Sequence, residues 1–254
     1  MRDKKRGEMN MKITVIGCWG GFPKVNEASS GYLINEDGFQ LLLDCGSGVL
    51  SKLQNYTKPA ALDAVILSHY HADHIADIGV LQHALLIDSF TMKTREEPLP
   101  IYGHQESEGF STLTYKKMTT GVAYHPDETI QIGPFVVTLL KTNHSVPCFA
   151  MRLEANGHTI VYTADTAYKE EMIEFAKGAD ILLAESNLYK GMDGTSAGHM
   201  TSEEAGIIAQ KAGVRTLVLT HLPHFGDIKQ LKEEAAQLFE GTIVLAHEYL
   251  EIGL

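Results

Sequence analysis

The sequence is poor in the residues that cross-link small secreted proteins. It has only three cysteines in 254 residues, and Cys18, Cys45 and Cys148 are widely spaced, with no Cys-x-x-Cys pair among them. An odd number of isolated cysteines argues against a disulfide framework and against a thiolate zinc site. We therefore expect free thiols and a reducing, cytoplasmic location.

Basic residues and long apolar runs are also scarce. Lysine and arginine number 21 against 32 aspartates and glutamates, which leaves a formal charge of −11. A chain of this charge has no general attraction to nucleic acids or anionic membranes, so any contact with a phosphate backbone must be local. No apolar run approaches the length that spans a bilayer, and we expect no membrane association.

Pro-rich linkers and short repeats are missing from the sequence too. The apolar fraction of 44% and the charged fraction of 21% are those of an ordinary globular protein. No signal-peptide core follows the basic residues 1–6, and we interpret residues 1–10 as a disordered leader, with a natural start at Met9 or Met11. Residues 11–254 are expected to form a single domain.

Short strands and helices alternate along both halves of the chain. Predicted strands, rich in Val, Ile and Leu, span residues 12–17, 32–35, 39–44, 64–68, 135–141, 150–154, 159–163, 181–184, 217–220 and 243–246. Helical spacing follows Asp73 and recurs in residues 203–212 and 228–239, the former with a capping box of Thr201 and Glu204 and a terminal Gly213. This order predicts an α/β fold, a four-layer αββα sandwich with two sheets face to face.

Histidine, in contrast, is abundant. The chain has twelve, and three of them lie in residues 69–74, which read His-Tyr-His-Ala-Asp-His at the end of a predicted strand. On an extended segment His69 and His71 point the same way and can share one metal ion, while Asp73 and His74 begin the next helix and can face a second. Unpaired imidazoles this close together would repel on protonation, so the segment predicts a metal site rather than a polar loop.

Two metal ions need more ligands than this segment provides, since zinc takes about four. Candidates follow other predicted strands: His144, Asp165 and His221 each stand where a strand passes into a loop. We expect these three residues to complete the site.

The motifs resemble those of the metallo-β-lactamase superfamily and, within it, of ribonuclease Z, the tRNA 3′-end endonuclease. The similarity covers nearly the whole chain from Met11. The segments that carry it are residues 17–23, Ser29-Ser30, 43–48 (Leu-Asp-Cys-Gly-Ser-Gly), 69–74, 101–103 (Ile-Tyr-Gly), 144–147 (His-Ser-Val-Pro), 164–166 (Ala-Asp-Thr), 198–201 (Gly-His-Met-Thr) and 219–221 (Leu-Thr-His). The His-rich motif is typical of the superfamily, and the Gly-His-x-Thr segment indicates the ribonuclease Z branch.

The resemblance implies the metallo-β-lactamase fold and a binuclear ligand set. One ion is implied on His69, His71 and His144, the other on Asp73, His74 and His221, and Asp165 is implied to bridge them. Di-iron members have Glu where this chain has His71, so an imidazole there favours two zinc ions, with manganese as the alternative.

The implied reaction is hydrolysis by a water molecule that the two metals share, with Asp73 both binding metal and accepting the proton of the water. Breaking a phosphodiester also requires a proton for the leaving alkoxide, and His199 is the predicted donor, by similarity to ribonuclease Z. The simpler interpretation of His199 is a helix-entry residue in ordinary hydrogen bonding. Asp44 is predicted either to accept a hydrogen bond from a ligand His or to cap the helix after Ser47.

The expected substrate is a phosphodiester, either the 3′ region of an RNA or a small cyclic phosphodiester such as a cyclic nucleotide. Long ribonuclease Z proteins carry a tRNA-gripping arm between the strands near His144 and Asp165, whereas residues 151–163 here predict a compact hairpin around Asn156 and Gly157. Hydrolysis of an ester, thioester or lactam is an alternative within the same fold, and a zinc-bound interaction module is the non-enzymatic alternative. The resemblance also indicates a homodimer, with residues 75–87 and 88–97 as candidate contacts.

Overall fold

The structure, a computed structural model, describes residues 11–254, and the expected disordered leader of residues 1–10 lies outside them. Fourteen strands occur in the described residues. They are β1 (Lys12–Gly17), β2 (Gly31–Glu36), β3 (Phe39–Leu43), β4 (Ala64–Ile66), β5 (Leu99–His104), β6 (Thr119–Tyr124), β7 (Ile130–Ile132), β8 (Phe135–Lys141), β9 (Phe149–Ala155), β10 (His158–Tyr162), β11 (Ile181–Glu185), β12 (Thr216–Thr220), β13 (Thr242–Leu245) and β14 (Glu251–Gly253).

The strands form two mixed sheets of seven with matching plans. The first has the order β14-β1-β2-β3-β4-β5-β6 and the second β13-β12-β11-β10-β9-β8-β7. In each sheet the pairs on one side are antiparallel and those on the other side, from β3 to β6 and from β10 to β13, are parallel. The molecule is thus built from two similar halves.

Six helices lie in the described residues, together with two 3₁₀ turns at Pro59–Ala61 and Glu108–Thr112. The helices are α1 (Val49–Leu53), α2 (Ala72–Ile75), α3 (Ile78–Thr91), α4 (Glu171–Phe175), α5 (Ser202–Ala212) and α6 (Ile228–Ala235). Helix α5 starts at the predicted capping box and ends at Gly213 in the left-handed conformation, which satisfies backbone groups at both ends. No helix of the described part of the chain is long and apolar enough to cross a membrane.

The alternation of side chains along the strands explains the layers. On β3, Leu41 and Leu43 lie in the main core with residues of both sheets, whereas Leu42 belongs to a second apolar cluster. That second cluster includes Leu53 of α1 and Leu81 of α3, so these helices cover the outer face of the first sheet. Successive side chains of a strand point to opposite faces of its sheet. An uninterrupted apolar strand such as β3 is therefore buried on both faces, against the other sheet on one side and against helices on the other. The predicted αββα sandwich is confirmed.

Two predicted helices have different bounds in the structure. The helix after Asp73 is interrupted between α2 and α3, because the amide of Asp77 donates to the carbonyl of Cys45 (3.1 Å) and its side chain accepts from the amide of Leu50 (2.8 Å). The helix predicted for residues 228–239 ends at Ala235, where the amides of Leu238 and Phe239 both return to the Ala235 carbonyl in a tighter turn. Strands β5, β6, β7 and β14 have no counterpart in the sequence prediction.

Candidate metal centre

The predicted ligands lie at the end of several strands that point the same way. Strands β8 and β10 are both antiparallel to β9, and β10 to β12 run parallel, so all of them end at one edge of the second sheet. His144, Asp165 and His221 follow β8, β10 and β12 at this edge. The topology therefore brings together side chains that are far apart in the sequence, and it places them against residues 69–74, which follow β4.

The first cluster consists of three imidazoles and a carboxylate. The Nε2 atoms of His69 and His144 each lie 3.1 Å from Nδ1 of His71, and they lie 3.7 and 3.9 Å from Oδ2 of Asp165. Nδ1 of His144 donates to the carbonyl of Gly198 (2.9 Å), so the lone pair on Nε2 is available to the cluster. Three ring nitrogens that converge in this way are better placed to bind a shared cation than to hydrogen-bond to each other.

The second cluster shares Asp165 with the first. Oδ2 of Asp73 lies 3.1 Å from Nε2 of His221 and 3.4 Å from Nε2 of His74, and Oδ2 of Asp165 lies 3.4 Å from both of these nitrogens. Within each cluster the donor atoms all lie within 4.8 Å of one another. The two groups are the same sets that the resemblance implies, while the roles of the individual residues stay predictions.

Buried polar atoms in these clusters show that a metal fits. Nε2 of His74 and Oδ1 of Asp165 are buried and make no hydrogen bond to any described residue. A buried polar atom without a partner costs free energy, and such atoms are rare unless an ion or water satisfies them. Imidazole and carboxylate donors in this number are the ligands of zinc, so the residues fit a metal site of the zinc type.

Metal binding needs neutral imidazoles and ionised carboxylates, and most of the pKa shifts in the clusters favour these forms. His74 is the exception: burial lowers its pKa, but the negative charges of Asp165 and Asp44 outweigh burial and raise it, so a metal ion would displace a proton from His74. Burial lowers the pKa of His69 and of His71, and neighbouring imidazoles lower both further. Burial alone would raise the pKa of Asp73 and Asp165, but the hydrogen bond of His221 to Asp73 and the positive charges of His74 and His221 outweigh it and lower both values. The carboxylates are therefore ionised at neutral pH.

Asp44 holds His74 in place from behind the site. Its wholly buried carboxylate accepts four hydrogen bonds, from Nδ1 of His74 (2.8 Å), from the amide and the hydroxyl of Ser68 (2.8 Å each) and from the hydroxyl of Tyr162 (3.0 Å). Such a partner fixes the ring and leaves Nε2 free for a metal. Helix α1 has Gly48 as its N-cap residue and no side-chain cap, so Asp44 contacts His74 and not this helix.

The backbone is strained where it delivers these residues. Asp44, Ala164 and His221 have φ values of 54°, 50° and 50°, a left-handed conformation that costs a non-glycine residue about 1–2 kcal/mol. Close approach adds a second constraint, because a Cβ on Gly46 would lie 1.9 Å from the carbonyl oxygen of Asp73. A Cβ on Gly20 would lie 2.7 Å from the ring of His221. Strain and tight packing of this kind are concentrated at functional sites.

His199 stands outside the two clusters and pairs with a buried glutamate. Its Nδ1 donates to Oε1 of Glu185 (2.9 Å), and the same oxygen accepts from the amide of Thr166 (2.8 Å). Burial opposes a charge on His199, but the hydrogen bond and the negative charge of Glu185 outweigh it and raise the pKa of His199 to about 9. The ring stacks on that of His221 at 5.3 Å between centroids. His199 is thus a protonated group beside the metal clusters.

The sequence did not lead us to predict a role for Glu185. It is the last residue of β11, and the predicted ligands likewise stand just after the ends of strands. Its side chain is fully buried at the end of an otherwise apolar strand. A lone acidic residue in that position was the available signal, because a buried carboxylate requires a partner.

An open cleft of about 320 Å³ leads to the clusters. The residues that line it are Gly20, Gly21, His71, Asp73, His144, Ser145, Asp165, Asn187, Ala197, His199, His221, Pro223, His224 and Phe225. A neighbouring cavity of about 430 Å³ shares His144 and Ser145 with the cleft and is otherwise lined mainly by hydroxyl and amide side chains. Among the described residues no lysine or arginine lines either space.

Comparisons with known proteins agree with the geometry. The sequence profile described as "Beta-lactamase superfamily domain" matches residues 40–222. The "Probable metallo-hydrolase YhfI" of Bacillus subtilis (strain 168) is 56% identical over 93% of this chain and 97% of its own length. The crystal structure of this metallo-β-lactamase fold protein YhfI matches with a TM-score of 0.94 and 53% identity, over 96% of this chain and 99% of that chain.

More distant relatives include ribonuclease Z proteins. The Ribonuclease Z of Methanosarcina mazei is 27% identical over 95% of this chain and 97% of its own length. The alignment extends over 303 positions, although this chain has 254 residues, so the archaeal protein carries insertions. Human tRNase Z, short form, matches with a TM-score of 0.74 and 20% identity over 95% of this chain and 98% of that chain, which shows a common fold.

Proposed function

Because the chain belongs to the metallo-β-lactamase superfamily and carries a His/Asp metal site, we propose that it is a phosphodiesterase dependent on two zinc ions. In this proposal one ion is held by His69, His71 and His144 and the other by Asp73, His74 and His221. Asp165, which belongs to both clusters, lies between them. Manganese is the alternative metal.

Bound ions of this kind supply an activated water molecule and offset negative charge on phosphate oxygens. Asp73 is the candidate proton acceptor during attack, because its carboxylate lines the cleft. Its Oδ2 also accepts a hydrogen bond from the amide of Gly21 (2.7 Å), which fixes the orientation of the carboxylate. Asp73 is therefore a carboxylate of fixed orientation in the wall of the cleft.

The pairing of His199 with Glu185 is the observation that carries the choice of a phosphodiester. An alkoxide leaving group requires a proton, and a His held in its protonated form at neutral pH is suited to donate one. Nδ1 of His199 is occupied by Glu185, so Nε2 is the atom that can deliver the proton. Hydrolysis of a thioester or an activated ester needs no such donor, because those leaving groups are stable as anions.

Two observations favour a small phosphodiester over an RNA. Strands β9 and β10 are joined by a turn of two residues, Asn156 and Gly157, so no arm lies between them. No lysine or arginine lines the described cleft, whereas proteins that bind nucleic acids neutralise several phosphates with basic side chains. The similarity to ribonuclease Z, at 27% identity, supports the 3′ region of an RNA as the second candidate.

The substrates can be separated with the zinc-loaded protein by comparing bis(p-nitrophenyl) phosphate with a precursor tRNA. We expect turnover of the small ester, and cleavage of the tRNA alone would favour the RNA. On 3′,5′-cyclic AMP, whose leaving alkoxide requires a proton, His199→Ala should lower kcat by about 10²–10⁴-fold, the usual contribution of a general acid, and leave the bound zinc unchanged. Bis(p-nitrophenyl) phosphate releases p-nitrophenolate, which is stable as an anion, so its kcat should change little. His83→Ala, an exposed His on α3, is the matched control. Wild-type turnover of 3′,5′-cyclic AMP by His199→Ala would remove the assignment.

A further inference from the structure

Two loops meet at the mouth of the cleft and are tied to each other. Nε2 of His224 donates to the carbonyl of Phe22 (2.7 Å), with the carbonyl of Gly20 at 3.1 Å. The rings of Phe22 and His224 stack with their centroids 3.7 Å apart and their planes within 2° of parallel. Trp19 contacts the same imidazole at 5.4 Å. This side of the mouth is therefore an ordered aromatic surface and not a loose pair of loops.

Phe225 extends this surface into the cleft. Its ring lines the cleft and is 48% exposed, although a phenylalanine is usually buried. Its backbone is fixed, since the hydroxyl of Tyr189 donates to the Phe225 carbonyl (2.8 Å) and the two rings meet edge to face at 5.5 Å. A Cβ on the next residue, Gly226, would lie 2.6 Å from the Tyr189 ring, so the glycine permits this packing. An exposed apolar residue is therefore held in the wall of the cleft that leads to the metal clusters.

The charge of the cleft limits what can bind there. No lysine or arginine lines the described cleft, so His199 and any bound metal ions would supply its positive charge. The ammonium group of Lys24 lies over the ring of Trp19, 3.6 Å from its centroid, and is engaged there. A ligand with one phosphodiester charge suits such a site, and affinity for the rest of the ligand must come from uncharged contacts. Aromatic rings supply these contacts to nucleobases by stacking, whatever the base.

We propose that Phe225 is a stacking platform for the base of a nucleotide phosphodiester whose phosphate lies at the metal clusters. This rests on the proposed function. It predicts that the protein binds a nucleoside phosphodiester more tightly than an aliphatic one that presents the same leaving group. Phe225 then acts in binding and takes no part in proton transfer.

Kinetics with two esters that share one leaving group test the proposal on the zinc-loaded protein. The esters are thymidine 5′-(p-nitrophenyl phosphate) and methyl p-nitrophenyl phosphate. Phe225→Ala should raise KM for the thymidine ester about tenfold, the effect of losing one stacked base, and leave KM for the methyl ester and both kcat values unchanged. Phe225→Tyr should restore the wild-type KM. Tyr249→Ala, at an aromatic residue that is 61% exposed and does not line the cleft, is the matched control.

Binding can also be measured without hydrolysis, because Trp19 is the single tryptophan and contacts His224. Titration of the zinc-loaded protein with AMP and with ribose 5-phosphate, followed by tryptophan fluorescence, compares ligands with and without a base. Phe225→Ala should weaken binding of AMP and leave that of ribose 5-phosphate unchanged. Equal effects on both ligands, or none on either, would overturn the stacking role. Failure of the wild type to hydrolyse either ester would instead contradict the proposed function, while the titration still decides the stacking.

Discussion

Asp44→Asn is the substitution for which the structure gives the sharpest expectation. The carboxylate is fully buried and its two oxygens accept four hydrogen bonds. An asparagine keeps one acceptor oxygen, and its amide nitrogen is a donor. Ser68 can still donate its amide to the remaining oxygen. The donors at Nδ1 of His74 and the hydroxyl of Tyr162 would then face another donor, so His74 loses the partner that orients it.

The consequence can be estimated for two quantities. Breaking a buried charged pair by removing one partner costs about 3–5 kcal/mol of unfolding free energy, which should lower the melting temperature of the metal-free protein. Loss of the partner that orients a metal-binding His costs about 10–100-fold in metal affinity. Asp44→Asn should therefore bind zinc 10–100-fold more weakly, by these typical magnitudes. Competition with a chromogenic chelator measures this affinity.

Glu234→Gln provides the matched control. Glu234 is also buried and accepts hydrogen bonds from the amide of Lys190 (2.9 Å), the hydroxyl of Ser202 (2.6 Å) and the amide of Gln230 (2.7 Å), but it belongs to neither metal cluster. It should lower stability and leave zinc affinity unchanged. If Asp44→Asn binds zinc as tightly as the wild type does, the orienting role of Asp44 is refuted and its contribution is to packing alone.

Three further predictions concern the proton donor, the metal and the assembly. Glu185→Gln keeps an acceptor for His199 but removes the charge that raises its pKa to about 9. Because His199 donates only while protonated, hydrolysis of a diester with an alkoxide leaving group, such as 3′,5′-cyclic AMP, is lost as pH rises through this pKa. The alkaline limb of kcat against pH for 3′,5′-cyclic AMP should therefore move to lower pH in Glu185→Gln, and an unchanged limb contradicts the assignment. Removal of metal with EDTA should abolish hydrolysis and lower the melting temperature, since the buried carboxylates and His74 then lack their ion. Added zinc should restore both hydrolysis and melting temperature. Hydrolysis that survives chelation excludes a metal-dependent reaction. We also propose that the protein is a homodimer whose contact is formed by four apolar residues on and after α3, which are 52–76% exposed: Val80, Ile87, Phe90 and Met92. Phe90→Asp should convert a dimeric mass in light scattering into a monomeric one. A monomeric wild type rules the homodimer out.

Much of the fold could be read from local pattern. The apolar run at Leu41, Leu42 and Leu43 indicates a strand buried on both faces, and the Thr201 and Glu204 capping box indicates where a helix begins, because both signals depend only on near neighbours. Strands β5 and β6 gave no such signal. Pro100 and Gly103 weaken β5, which forms because β4 and β6 pair with it on either side.

The candidate site also has one part that local sequence predicts and one part that depends on the tertiary structure. The clustering of His69, His71 and His74 is written in adjacent residues, so the sequence alone determined that a metal site lies after β4, and it also indicated the strand ends where further ligands stand. Only the tertiary structure decided that Glu185 hydrogen-bonds to His199 and that Phe225 lines the cleft. It also decided that Asp44 accepts a hydrogen bond from His74 and another from Tyr162, which is 118 residues from Asp44 in the sequence. These contacts depend on strand order and register, which bring distant residues within a few ångströms, and no local propensity encodes such distances.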